Sequence, residues 1–260
     1  MSKTYWADRM AKSQDRASRK TVAQIKKQFK KYYSTTAKFV IDDFVATYEK
    51  LLNDLAHERA PVPADLYKMD KYWTMQGALR AQLQKLGEKE IAMLTRNFER
   101  NFFEVYYGLN IEGKQAFNTI DKNIVKQMIN NIWCADGKSW SQRIWGNTEK
   151  LAETLNEELI KNLVAGKKTS DLKKKLQERF NVSFSNADMI ARTELAHIQT
   201  QAAKKRYEDY GVQEVEIWAD EDERRCKVCG KLHQKRYPIG AAVPIPAHPR
   251  CRCCIVPVIN

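Results

Sequence analysis

The sequence predicts a mainly α fold: a long N-terminal helical hairpin and helical body, followed by a small C-terminal α+β module. Three observations predict it. Apolar residues recur at steps of three and four over most of the 260 residues. The period drops to two only near the C-terminus, in "VQEVEIW" at 212–218. The chain also holds only 10 Gly and 7 Pro, too few for a loop-rich fold.

The first helical stripe runs Val22, Ile25, Phe29, Tyr32, Phe39, Phe44, Tyr48, Leu51 and Leu55, without Gly or Pro. At about 1.5 Å per residue that helix would be roughly 50 Å long. "APVPA" at 60–64 breaks it, because proline lacks a donor and disfavours helix in the residue before it. The second stripe, Leu79, Leu83, Leu86, Ile91, Leu94, Phe98 and Phe102, ends near Gly108–Gly113. Its length and the short break favour an antiparallel hairpin.

Shorter helices follow. Ile120, Ile124, Met128 and Ile132 mark one; Leu151, Leu155, Leu159 and Leu163, capped by Ser139 or Ser141 and stopped at Gly166, mark another. "TSDL" at 169–172 reads as an N-cap ahead of Leu172, Leu176 and Phe180. "SNAD" opens a further helix through Ala191, Leu195 and Ile198 to Gly211. Val215 and Ile217 then alternate with Glu214 and Glu216 as a half-buried strand, and "CIVPV" can pair with it as an edge strand because of Pro257. The expected division is residues 1–113 as extended hairpin and 114–260 as a second part, with helices over 114–211 and an α+β tail over 212–260.

Charge narrows the class of partner. Lys and Arg number 45 against 32 Asp and Glu, a net charge of +13. Nine basic residues lie in 12–38 against Asp15 alone, Lys26, Lys27, Lys30 and Lys31 among them. A second basic patch (Arg224, Arg225, Lys227, Lys231, Lys235, Arg236, Arg250, Arg252) faces only Asp222 and Glu223 within 222–254. Phosphate contact, salt-dependent and blind to sequence, is one use of such patches; an ordinary solvated face is the other. No run reaches the roughly 20 apolar residues of a membrane span, and the first residues lack the apolar core of a secretory signal. A reducing cytosol is the expected setting.

Five of the six cysteines and two of the four histidines fall between Cys226 and Cys254. A metal site, a disulfide knot and a reactive thiol centre all gather sulfur in this way. Cys226 and Cys229 have the C-x2-C spacing of a zinc knuckle, and "HPRCRC" supplies His248, Cys251 and Cys253 to complete a tetrahedral shell. His248 with Cys251, or Cys251 with Cys253, can furnish the second pair; His233 and Cys254 are spare. A loop with so few apolar contacts benefits from a metal clip. Four protein ligands would leave no open position, which argues for structural Zn2+.

Other signals fail. "AGKKTS" at 165–170 lacks a phosphate-loop glycine, since Lys161 and Lys168 stand where Gly and Ser/Thr are needed. His57 and His197 have no nucleophile at a recognised spacing and are read as structural or exposed. Cys134 is read as a small core residue.

"ARTE" at 191–194, then "DERRCKVCGKLH", then "PIPAHPRCRC" resemble, in that order, the C-terminal module of phage Mu F-like head-morphogenesis proteins, the minor capsid proteins of tailed phages. The resemblance covers roughly 120–258. Its motif falls on Arg192, Thr193 and Glu194, on Asp222, Arg224, Cys226 and Cys229, and on His248, Pro249, Cys251, Arg252 and Cys253. The family's Asp-Gly pair is replaced by His233 and Gln234, a departure that bears on the local turn and not on the cysteine frame. The resemblance implies a non-enzymatic virion component, docking on the portal with other capsid or scaffolding proteins and contacting or accompanying double-stranded DNA. The competing readings are a metal-dependent HNH-like nuclease, with His233 or His248 as base, and a sequence-independent DNA-binding zinc module.

Overall fold

The structure is a computed structural model and describes residues 3–55, 62–111, 119–219 and 225–259. His57, Asp222 and Arg224 lie outside the described residues, as does the expected boundary at 113.

The elements, in order, are α1 (Lys3–Leu55), α2 (Pro63–Leu66), α3 (Asp70–Gly108), α4 (Lys122–Ile129), α5 (Trp140–Val164), α6 (Thr169–Asp209), β1 (Glu214–Trp218), α7 (Lys227–Leu232), β2 (Arg236–Pro238) and β3 (Cys254–Pro257). The mainly α class with a small C-terminal α+β part is what the periodicities predict. The chain divides into two compact units. One comprises Met1–Lys26, Met93–Trp140 and Met189–Asn260; the other comprises Lys27–Ala92 and Ser141–Asp188.

In the first unit α1 and α3 run antiparallel. Asn101 Nδ2 donates to Ala17 O at 3.2 Å and to Thr21 Oγ1 at 3.0 Å, while Lys20 meets Glu104 at 3.3 Å. The helix begins nineteen residues before Val22, where the stripe is expected to start. Ala7, Met10, Gln14, Ala17 and Thr21 are its buried positions there, and two of these are polar, which hides the pattern. The sheet has the order β2-β1-β3, with both pairings antiparallel. Val215 and Ile217 are buried as expected, and β3 is an edge strand carrying Pro257. Gln14 Nε2 covers that edge by donating to Ile255 O at 2.8 Å.

The second unit is a four-helix arrangement of α1, α3, α5 and α6 around Phe29, Phe44, Leu83, Leu86, Leu155 and Leu176. Gly87 earns its place here: a Cβ would lie 2.5 Å from the Trp145 ring. Polar side chains from three helices also meet in the interior. Tyr33 and Asn147 both reach Ser183 Oγ, at 3.2 Å and 2.9 Å. Glu90 of α3 is fully buried, and neither of its oxygens has a hydrogen-bond partner among the described residues.

Several expected positions move. Phe39 is exposed and Tyr32 half-buried, because Tyr33, Ala37, Val40 and Ile41 take the inner face of α1. Ile124 and Ile132 are exposed, and α4 buries Val125 and Ile129 instead. The two helices expected over 169–211 are one. The "SNAD" stretch at 185–188 that reads as a helix start lies within α6, and Ser183 just before it is spent on Tyr33 and Asn147. Cys134 lies half-buried in a turn, not in the core.

Candidate metal centre

Two short segments of the first unit bring the cysteines together. Cys226 caps α7, its Sγ accepting the Cys229 N–H at 3.3 Å, so that both thiols of C-x2-C face one side of the turn. The second segment turns at 248–251, where Cys251 N–H donates to His248 O at 3.1 Å. Arg250 sits in that turn at φ 60°, a left-handed conformation that costs a non-glycine residue on the order of 1 kcal/mol.

The donors converge as two triads that share Cys229: Cys226, Cys229 and His248, and Cys229, Cys251 and Cys253. His248 Nε2 lies 3.0 Å from Cys229 Sγ and 3.3 Å from Cys226 Sγ, and Cys229 Sγ lies 3.8 Å from Cys251 Sγ. A disulfide needs about 2.05 Å between sulfurs. All six cysteines are free thiols. An edge of about 3.8 Å is, by contrast, the sulfur separation across a tetrahedral zinc whose Zn–S bonds are about 2.3 Å.

The histidine is preset. A carbonyl oxygen only accepts, so the 2.8 Å contact between His248 Nδ1 and Pro249 O places the proton on Nδ1 and leaves the Nε2 lone pair facing the thiols. The protons of the metal-free cluster are shared unevenly. Hydrogen bonding from Cys253 pulls the Cys251 thiol down to about 5, whereas burial pushes Cys229 up to about 12. Cys253, hydrogen-bonded to Cys251 and buried, holds its proton strongly. The Cys229 N–H lowers Cys226. This donor set, four thiols and an oriented imidazole within a few ångströms, fits a soft divalent cation that displaces the thiol protons.

The Arg-Thr-Glu triplet lies on α6 beside this loop. Thr193 Oγ1 accepts the backbone N–H of Arg250 at 3.0 Å and donates to Met189 O at 2.7 Å. Glu194, nearly fully buried, accepts the Trp133 indole N–H at 2.8 Å. Trp133 stacks on His197 with ring centres 4.4 Å apart, and burial depresses His197 to about 4. Trp133 and His197 were not candidates on sequence grounds. The i, i+3 spacing of Glu194 and His197 on one helix is the signal that could have found them.

The remaining candidates are scattered. His233 does not join the cluster: its Nδ1 accepts the Ala219 N–H at 3.2 Å and its ring packs edge-on against Trp218. Arg236 pairs with Glu216 across β2 and β1 at 3.1 Å. Arg225, Arg250 and Arg252 are exposed, as are Lys26, Lys27, Lys30 and Lys31 on α1. Gln234 adopts a left-handed conformation, φ 61°, in the turn that follows α7.

The fold and site define a helical protein that ends in a small thiol- and imidazole-rich α+β module. Residues 153–256 match the family described as Phage Mu protein F like protein. No curated protein and no solved structure matches the chain. No helix among the described residues is long and apolar enough to cross a membrane.

Proposed function

We propose that this is a non-enzymatic head-morphogenesis protein, a minor capsid component of a tailed phage whose C-terminal module is held by structural Zn2+. The observation that carries the reading is the coincidence of the family match with the thiol–imidazole cluster inside it. Cys226, Cys229, His248 and Cys251 would hold the metal, with Cys253 as the alternative fourth ligand. Zinc would supply a fixed tetrahedral node, and the chain's own residues set its position: Cys226 caps α7, Pro249 orients His248, and Thr193 braces Arg250.

In this reading the protein docks on the portal during procapsid assembly, among capsid and scaffolding proteins, in the host cytoplasm, and stays in the virion near the portal. Exposed lysines on α1 and Arg225, Arg250 and Arg252 are the surface by which it would contact or accompany double-stranded DNA.

Co-sedimentation with procapsids assembled with and without portal protein tests the reading. Association only in the presence of portal is the expected result; equal association with portal-free shells contradicts it. Incubation with plasmid and Mg2+ or Mn2+ tests the enzymatic alternative. Nicking that disappears in His233→Ala would replace the structural reading with a nuclease.

A further inference from the structure

The stretch of α1 that belongs to the second unit carries a second seam on its outer side. Tyr32, Thr35, Phe39, Asp42, Ala46 and Glu49 follow one another at alternating steps of three and four, the spacing of a two-helix seam. Tyr32 is half-buried and the other five are exposed. Phe39, at 53% exposure, is a large apolar ring left in solvent at the middle of the row.

Charge is segregated on either side of that ring. Lys27, Lys30, Lys31 and Lys38 precede it with no acid among them, and Asp42, Asp43 and Glu49 follow it, with Lys50 as the exception. Elsewhere α1 uses its carboxylates within the chain: Asp8 with Lys12 at 2.6 Å, Asp15 with Arg19 at 2.8 Å and Asp54 with Lys71 at 2.7 Å. Lys31, Lys38, Asp42 and Glu49 form no ion pair among the described residues. Lys38 and Asp42 are four apart, but base before acid is the weaker order within a helix.

The pattern complements itself in one orientation. A parallel copy in register would set Lys31 against Lys31 and Asp42 against Asp42. In an antiparallel copy Lys38 meets Asp42 and Lys31 meets Glu49. Both pairs are symmetric about position 40, so a single register satisfies them together, and two-fold symmetry makes each pair twice. Phe39 lies one residue from that centre, which brings the two rings side by side at the axis.

We propose that this face of α1 pairs with a second copy of the chain, antiparallel across Phe39. One helical face with one large apolar side chain makes a small interface, so the dimer is weak and depends on concentration. The pairing goes beyond the capsid reading and needs neither zinc nor portal. Its failure would leave that reading intact, and loss of portal association would leave the dimer standing.

Sedimentation equilibrium of the full-length protein from about 1 μM to about 1 mM tests it. The native chain is expected to pass from monomer to dimer across that range. Phe39→Ser removes the central ring, and Lys31→Glu sets like charges against each other at both ends. Each is expected to weaken dimerisation about tenfold with an unchanged thermal midpoint. Lys31→Glu combined with Glu49→Lys exchanges the signs of the pair and is expected to restore the native dissociation constant. A monomer throughout, a dimer unmoved by Phe39→Ser, or a double variant no tighter than Lys31→Glu would overturn the proposal. A monomer whose binding to a short DNA duplex falls in Lys31→Glu would overturn it too, and would assign the face to DNA.

Discussion

Thr193, on α6, holds the backbone N–H of Arg250 through its hydroxyl at 3.0 Å, and so ties the helix to the loop that carries His248 and Cys251. This bond gives the Arg-Thr-Glu triplet a physical role. Arg250 is in a left-handed conformation between the donors, and a fixed acceptor for its N–H opposes relaxation of that turn. Thr193→Val keeps the side-chain shape and removes the acceptor. The expected cost is about 1 kcal/mol of loop ordering. Zinc transfer to a competing chelator should therefore run about fivefold faster than in the native chain, with Thr193→Ser close to native.

Gln234 is a second left-handed residue, at φ 61°. It leads from α7 into β2, and its N–H donates to Ile217 O at 2.7 Å. Glycine has no Cβ to strain there, although it loses more freedom on folding. Gln234→Gly is expected to raise stability by about 0.5–1 kcal/mol, read as a higher urea midpoint at unchanged slope. A lower midpoint would show that the glutamine side chain makes a compensating contact.

Gly87 on α3 faces the ring of Trp145 on α5. Alanine normally favours a helix over glycine by about 1 kcal/mol. Here its methyl group would fall 2.5 Å from a ring carbon, and overpacking costs about 1–3 kcal/mol. Gly87→Ala should therefore lower the denaturation midpoint despite the better propensity. The pair Gly87→Ala with Trp145→Leu should recover much of the loss.

Glu90 makes the stability of the second unit depend on pH. Burial raises its carboxyl from 4.5 to about 8, with the Tyr33 hydroxyl partly opposing. Between those values the folded protein keeps the proton and the unfolded chain releases it. Stability therefore falls as pH rises through that window and levels off above it. Glu90→Gln keeps the shape without a titrating group. It should flatten the profile and exceed the native chain by on the order of 2–4 kcal/mol near pH 8. Urea midpoints near pH 5 and pH 9 read this directly; parallel profiles for the two proteins would contradict it.

Much of this architecture is legible in the residue pattern, and the misses have physical causes. Long apolar periods locate α1, α3 and α5 because most of the positions they bury are apolar. The pattern fails where polar atoms are buried. Gln14 and Thr21 conceal the start of α1, Glu90 displaces Ile91 from the inner face of α3, and "SNAD" at 185–188, beside the buried Ser183, imitates a helix start. Each of these depends on neighbours distant in the chain. Phe39 and Ile124 mislead for the opposite reason: they are large apolar residues one position off the stripe. At the candidate site the C-x2-C spacing and the "HPRCRC" run point to the two stretches whose thiols and imidazole the structure brings together, without deciding between Cys251 and Cys253. The bracing by Thr193 and the Trp133–His197 stack are tertiary and leave only the i, i+3 trace of Glu194 and His197.

Metal content is the most direct measurement. Purified protein, folded without added chelator, should carry one zinc per chain. Cys229→Ser, which removes the donor common to both triads, should carry none, and Cys253→Ser should retain it. A native chain free of metal, or a Cys229→Ser variant that keeps its zinc, would contradict the account.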